Sequence, residues 1–263
     1  MKKFILLLIL ISNQSFASAL CDRISDGLDN YLEEASSRIA FRNQGGLFNG
    51  GVCWWHSRLQ RSSAFLADFR PEKAKPTSLQ VKAILRSLKM MNQTVIIPGF
   101  ADFQTFTRSH QKEVQSFLEA WQREDGFLNQ EWIRGISGQY ELPVDAMKKR
   151  MDILYDQFVK SPHPVWIMAQ IKGITSHSFL LLNMTPMGSG YELKLIDSNA
   201  PQRTKIVEYE VGQRALKYPT DTYSFVPYLG FQKDLVMIKR SVEKVCGNIL
   251  GLDNYIPMGE VEL

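Results

Sequence analysis

The residues with the clearest chemical potential are one cysteine and one histidine–aspartate pair. Gly50-Gly51-Val52 is a turn-forming lead into Cys53, and Cys53 opens a segment of helical pattern. Helical spacing puts Trp55, Leu59 and Leu66 on one face of that segment, with Phe65 and Phe69 close by. A thiol at a helix N-terminus sits among unpaired backbone N–H groups and the positive end of the macrodipole. Both favour the thiolate, the nucleophilic form. The competing reading is a buried structural cysteine beside Trp54 and Trp55, since free cysteine is among the most buried residue types.

A nucleophilic cysteine needs a base, and the base needs a group that orients it. Four histidines are available: His56, His110, His163 and His177. His163 lies between two prolines and reads as a turn residue, while His110 starts a helix and reads as exposed. His56 stands three residues after Cys53 and could share its helix face. His177 opens the strand-like run Ser178–Met184, and the next run, Tyr191–Ile196, ends in Asp197-Ser198-Asn199. Neighbouring antiparallel strands bring a residue at the start of one beside a residue at the end of the next. His177 is therefore the expected base and Asp197 its orienter. Asn199 has the same strand parity and is the alternative third member.

The elements that must position these groups divide the chain in two. Helical patterns cover Asp22–Ile39, the Cys53 segment, Ser78–Met91 with Ser78 as N-cap, Gln111–Gln122, and Pro143–Val159. Thr94–Ile97 reads as a short strand and Phe100–Thr107 as a loop lining a cleft. Gly126–Glu141 has no clear period. After Ser161-Pro162-His163-Pro164 the pattern turns to strands: Val165–Ile171, Ser178–Met184, Tyr191–Asp197, Lys205–Val211, Tyr223–Tyr228 and Leu235–Ile238. The expected fold class is α+β, with a mostly helical lobe over residues 20–160 and an antiparallel sheet or barrel over 161–263. A cleft between such halves is a common place for a site.

Composition bounds the setting. Met1-Lys2-Lys3, the apolar run Phe4–Ile11 and Ala17-Ser18-Ala19 have the three-part layout of a signal peptide, residues 1–19. Export, secreted or periplasmic, is the expectation. The apolar run is too short for a span of about 20 residues, and no integral membrane segment is expected after its removal. The net charge is only +4, and Lys2 and Lys3 belong to the leader, so nothing points to nucleic acid as a partner. Three cysteines cannot all pair within one chain. Cys21 and Cys246 lie near the two ends and are the expected disulfide, which leaves Cys53 free. The histidines and cysteines show no ligand-spaced cluster, so neither metal nor cofactor is expected.

Three short segments carry a resemblance: Gly51-Val52-Cys53-Trp54-Trp55, Ser176-His177-Ser178-Phe179 and Leu195-Ile196-Asp197-Ser198-Asn199. Their order and spacing, 124 residues from Cys53 to His177 and 20 from His177 to Asp197, resemble the papain-like cysteine peptidases. The third segment is closer to bacterial effector-type members than to plant-type ones. The resemblance spans roughly Gln44 to Tyr228 and implies a helical lobe with a central nucleophile helix, a β-lobe, and a protein or peptide substrate cleaved through a Cys53 thioester. It also implies a glutamine ahead of the nucleophile that helps hold the oxyanion. Gln44 is the only glutamine between residues 20 and 53. The chain lacks the family's Cys-Gly-Ser-Cys-Trp signature. The rivals are a cell-wall amidase or deamidase using the same triad, and a non-catalytic binding protein on a papain-like scaffold.

Overall fold

The computed structural model describes residues 19–47, 50–128, 140–172, 176–220, 223–229 and 232–250. Most of the leader, residues 1–18, lies outside the described residues. Eight helical elements can be followed: α1 (residues 19–25), α2 (Leu28–Glu33), α3 (Cys53–Leu66), α4 (Ser78–Met90), α5 (Phe103–Ser109), α6 (Gln111–Leu128), α7 (Val144–Lys160) and α8 (Gln232–Cys246). Strands β1 (Ala67–Arg70) and β2 (Val95–Pro98) form a parallel pair. The six others are β3 (Val165–Gln170), β4 (Ser176–Met187), β5 (Gly190–Asp197), β6 (Thr204–Tyr209), β7 (Leu216–Lys217) and β8 (Ser224–Leu229). They form an antiparallel, nearly closed sheet in the order β6-β5-β4-β3-β8-β7. The class is α+β.

Several elements differ from the sequence expectation. The helix expected over Asp22–Ile39 is broken at Gly27, whose φ of 96° a helix cannot accommodate, and resumes as α2. The Cys53 helix ends at Leu66, and Phe69 belongs to β1. Thr77, not Ser78, caps α4, in a capping box with Gln80. Phe100–Thr107 is not a cleft loop: Asp102 caps α5, and Phe103 and Phe106 are fully buried. Leu235–Ile238 is helical, because Leu235, Ile238 and Val242 continue at helical spacing into a single buried face of α8.

Helix α3 is the axis of the helical half. The sequence suggests one apolar face, yet every residue of α3 except Arg58 is buried. Several of its polar side chains are correspondingly bonded, as burial demands. Gln60 accepts from Ile39 N–H at 2.6 Å and donates to the Ser37 carbonyl at 2.9 Å. Ser62 and Ser63 donate to carbonyls three residues back. Arg58 reaches both Asp125 of α6 and Asp234 of α8, at 3.0 and 2.9 Å.

Two cores result. The helical core holds α3 with Trp166, Leu180, Leu182 and Ile196 from one sheet face, and Ile238 and Val242 from α8. The other is the sheet interior, with Ile167, Phe179, Leu181, Leu193, Leu195 and Phe225, closed by Met151 and Leu154 of α7. So α7 packs on the sheet and α8 on the helical core, although each follows the opposite half in sequence. A disulfide joins Cys21 to Cys246, with Cα atoms 5.4 Å apart, and ties α1 to the end of α8. No described helix is long and apolar enough to cross a membrane.

Candidate functional site

Strand β4 serves both cores by simple alternation. Its even-numbered residues Ser178, Leu180 and Leu182 face the helical half, and its odd-numbered His177, Phe179 and Leu181 face the sheet interior. Ser178 donates to the Cys53 carbonyl at 2.8 Å and lies 3.0 Å from the Ser57 hydroxyl. The strand is thereby fastened to the first turn of α3. The Cys53 sulfur lies 4.0 Å from the Ser176 carbonyl oxygen, one residue before His177.

The register of β4 and β5 sets the second half of the site. Phe179 pairs with Asp197, which places His177 diagonally from Asp197 on the same face. His177 Nε2 is 2.6 Å from Asp197 Oδ1, and His177 also lies within electrostatic reach of Cys53. Because Nε2 is taken by the carboxylate, Nδ1 is the nitrogen left for the thiol. The ring of His177 meets Phe179 edge-on at 4.8 Å between centroids. Cys53, His177 and Asp197 are thus assembled, and all three are buried, at 7, 5 and 1 % exposure. Cys53 is the free thiol among the described residues.

The electrostatics follow from these contacts. Burial opposes a charged His177, but hydrogen bonds and charge from Asp197 and Cys53 outweigh it and push its pKa up to about 10. Burial likewise opposes the Asp197 carboxylate. Hydrogen bonds from His177, Tyr218 and the Asn199 N–H win, and hold it below its ordinary value. Tyr218 donates to Asp197 Oδ2, while the Asn199 N–H donates to Oδ1 at 2.8 Å. Both carboxylate oxygens are therefore engaged.

The alternative groups lie elsewhere. The Asn199 side chain turns to Asn43, accepting from its Nδ2 at 3.0 Å, and only its backbone meets Asp197. His56 bonds the Phe41 carbonyl at 3.0 Å. His163 stacks on Phe158, and His110 is half-buried between Phe100 and Phe106 rather than exposed. Gln44 gives its backbone carbonyl to Gln115 and lines a groove with Arg108, Ser109 and Lys112. Among the described residues no contact joins its side chain to Cys53. The Cys53 N–H lies in the first turn of α3, where amides have no intrahelical acceptor, and among the described residues no N-cap side chain bonds that turn. Among the described residues no cluster could hold a metal ion.

Two supporting residues were missed in the sequence. Asn43 accepts from Val52 N–H, while its own N–H donates to the Ser198 carbonyl at 2.7 Å. It thus joins the lead into Cys53 to the loop after Asp197. Gly51, at φ 87°, leaves room for it: a Cβ there would lie 2.5 Å from Asn43 Nδ2. An asparagine in a glycine-rich loop is a signal for such side-chain to backbone bonding. Tyr218 carries no comparable spacing signal. In comparisons with protein-family models, curated proteins and solved structures, nothing matches this chain.

Proposed function

We propose that this chain is an exported thiol hydrolase of papain-like architecture, a cysteine peptidase that acts by acyl transfer through Cys53. The observation that carries the reading is the 2.6 Å His177–Asp197 pair, with the Cys53 thiol, at a helix N-terminus, 4.0 Å from the carbonyl of Ser176 just before His177. His177 takes the thiol proton, and Asp197 holds the ring and balances the imidazolium. The sulfur attacks an amide carbonyl, whose oxygen is met by the Cys53 N–H. His177 returns the proton to the leaving amine, and water then hydrolyses the thioester. Gln44 has no part in this scheme. The Cys21–Cys246 disulfide supports an oxidising compartment, secreted or periplasmic.

The near-complete burial of Cys53, His177 and Asp197 favours a second reading, a binding protein that retains the scaffold. Alkylation separates the two. Iodoacetamide should modify Cys53 at pH 5–7 at least ~10-fold faster than free cysteine, whose own thiolate is scarce below its pKa of about 8.5. Modified protein should lose all turnover of a peptide amide library. Equal rates for Cys53 and free cysteine would sink the enzyme reading. Release of ammonia without backbone cleavage would move it to a deamidase.

A further inference from the structure

We infer that Tyr223 is a further catalytic residue of this site, its hydroxyl placed to donate a hydrogen bond to the oxygen of an acyl group at Cys53. The inference rests on the acyl-transfer reading and adds a second donor to the Cys53 N–H.

Strands β7 and β8 pair Leu216 with Phe225 and Lys217 with Ser224. Tyr218 and Tyr223 are the next residues in that register, and the Tyr218 N–H donates to the Tyr223 carbonyl at 3.0 Å. Opposed residues of an antiparallel pair project to one face. The two rings stack, with centroids 4.7 Å apart and planes 17° apart. Their hydroxyls have different fates. Tyr218 donates to Asp197 Oδ2. The Tyr223 hydroxyl is buried and has no hydrogen-bond partner among the described residues. Most buried hydroxyls avoid that state, because it forfeits the bonds they make in water. This one is carried by a ring stacked against Tyr218, whose own hydroxyl reaches Asp197, so it belongs to the cluster built around His177 and Cys53 yet hydrogen-bonds none of its members. A donor kept unpaired in such a cluster is completed by the acceptor atom of an arriving substrate.

In the step concerned, the Cys53 sulfur gives an electron pair to the carbonyl carbon, and a C–S bond forms. The carbonyl π pair moves onto oxygen, where the Tyr223 O–H and Cys53 N–H meet it. When that pair returns, the bond to the leaving group breaks and His177 supplies the leaving group's proton. The product is a thioester, and Tyr223 keeps its own proton throughout.

Tyr223→Phe keeps the ring and removes only the hydroxyl. Two reagents separate the roles on the full chain. Acetylation of Cys53 by p-nitrophenyl acetate passes through an oxyanion, whereas alkylation by iodoacetamide does not. The expected result is a loss of about 10²-fold in acetylation, with alkylation unchanged and Tm unchanged or higher. Unchanged alkylation also shows that the variant's site is intact. Equal acetylation of variant and parent overturns the inference and leaves the acyl-transfer reading standing. Parallel losses with both reagents also overturn it, by assigning Tyr223 to the state of the thiol. A parent protein whose Cys53 is not acetylated overturns both.

Discussion

His56 on the Cys53 helix and His177 on β4 are both buried, at 1 and 5 % exposure, but their surroundings drive them to different charge states, one neutral and one cationic. His56 meets a backbone carbonyl, that of Phe41, and desolvation pulls its pKa down to about 4 despite that bond. His177 meets a carboxylate and a thiol, and rises to about 10 although it too is desolvated. Burial is common to both. What differs is whether an anionic partner lies within hydrogen-bond reach. Closeness in sequence therefore misleads: His56 is three residues from Cys53 and committed to a loop, while His177 is 124 residues away and interacts with it.

The widest separation of the two should come from substitution. His177→Ala should lower peptide turnover by about 10³-fold, within the range for loss of a general base. His56→Gln should instead lower Tm, because the Phe41 carbonyl loses a well-placed buried donor. Its turnover per folded molecule should stay within ~3-fold of the parent. Turnover corrected for active thiol by titration makes the comparison. The reverse ranking would give the base to His56.

A second contrast lies within one turn. Asp197 holds His177 through Oδ1, whereas the Asn199 side chain faces Asn43. Asp197→Ala should cost turnover about 10²-fold with the fold intact. Asn199→Ala should cost far less, since the backbone N–H that meets Asp197 remains. A larger loss at Asn199 would transfer the third role to it. Equal mild losses would leave His177 without an orienter.

How much of this was legible in the sequence depends on the range of the interaction. Cys53 at a helix start, the His177 and Asp197 strand ends, and the Cys21–Cys246 pairing could be read from local pattern and position. Strand alternation gave Leu193, Leu195 and Asp197 one face, and the register of β4 with β5 agrees. The failures are of another kind. Residues Leu235–Ile238 are apolar enough for a strand, and only the continuation to Val242 marks them as helix. The pairing of Arg58 on α3 depends on where α6 and α8 place Asp125 and Asp234, which no local pattern announces. Tyr218 reaches Asp197 because β7 and β8 pair beside it, and β7 is only two residues long. Long-range partners of short elements leave almost no periodic trace.

The last effect expected is on stability, and it tests the two histidines together. An unfolded histidine titrates near 6.5. The raised pKa of His177 means that the folded chain holds a proton the unfolded chain has lost. Its stabilisation is complete below pH 6.5 and is lost as pH rises from 6.5 towards 10. The lowered pKa of His56 works the other way, with stabilisation present above pH 6.5 and lost as pH falls from 6.5 towards 4. Together they give a dome with its top near neutral pH, the alkaline limb on the order of 5 kcal/mol and the acid limb on the order of 3 kcal/mol at about 1.4 kcal/mol per unit. Urea midpoints from pH 4 to 10, with the disulfide intact, should trace it. His177→Gln should flatten the alkaline limb alone, and His56→Gln the acid limb alone. Carboxylates add to the acid limb, so the difference between each variant and the parent carries the result rather than either profile. Cys53→Ala should draw the alkaline edge to lower pH, because the thiol supplies part of the rise at His177. A dome that neither histidine variant alters would mean that the two imidazoles do not hold the different charge states their partners dictate.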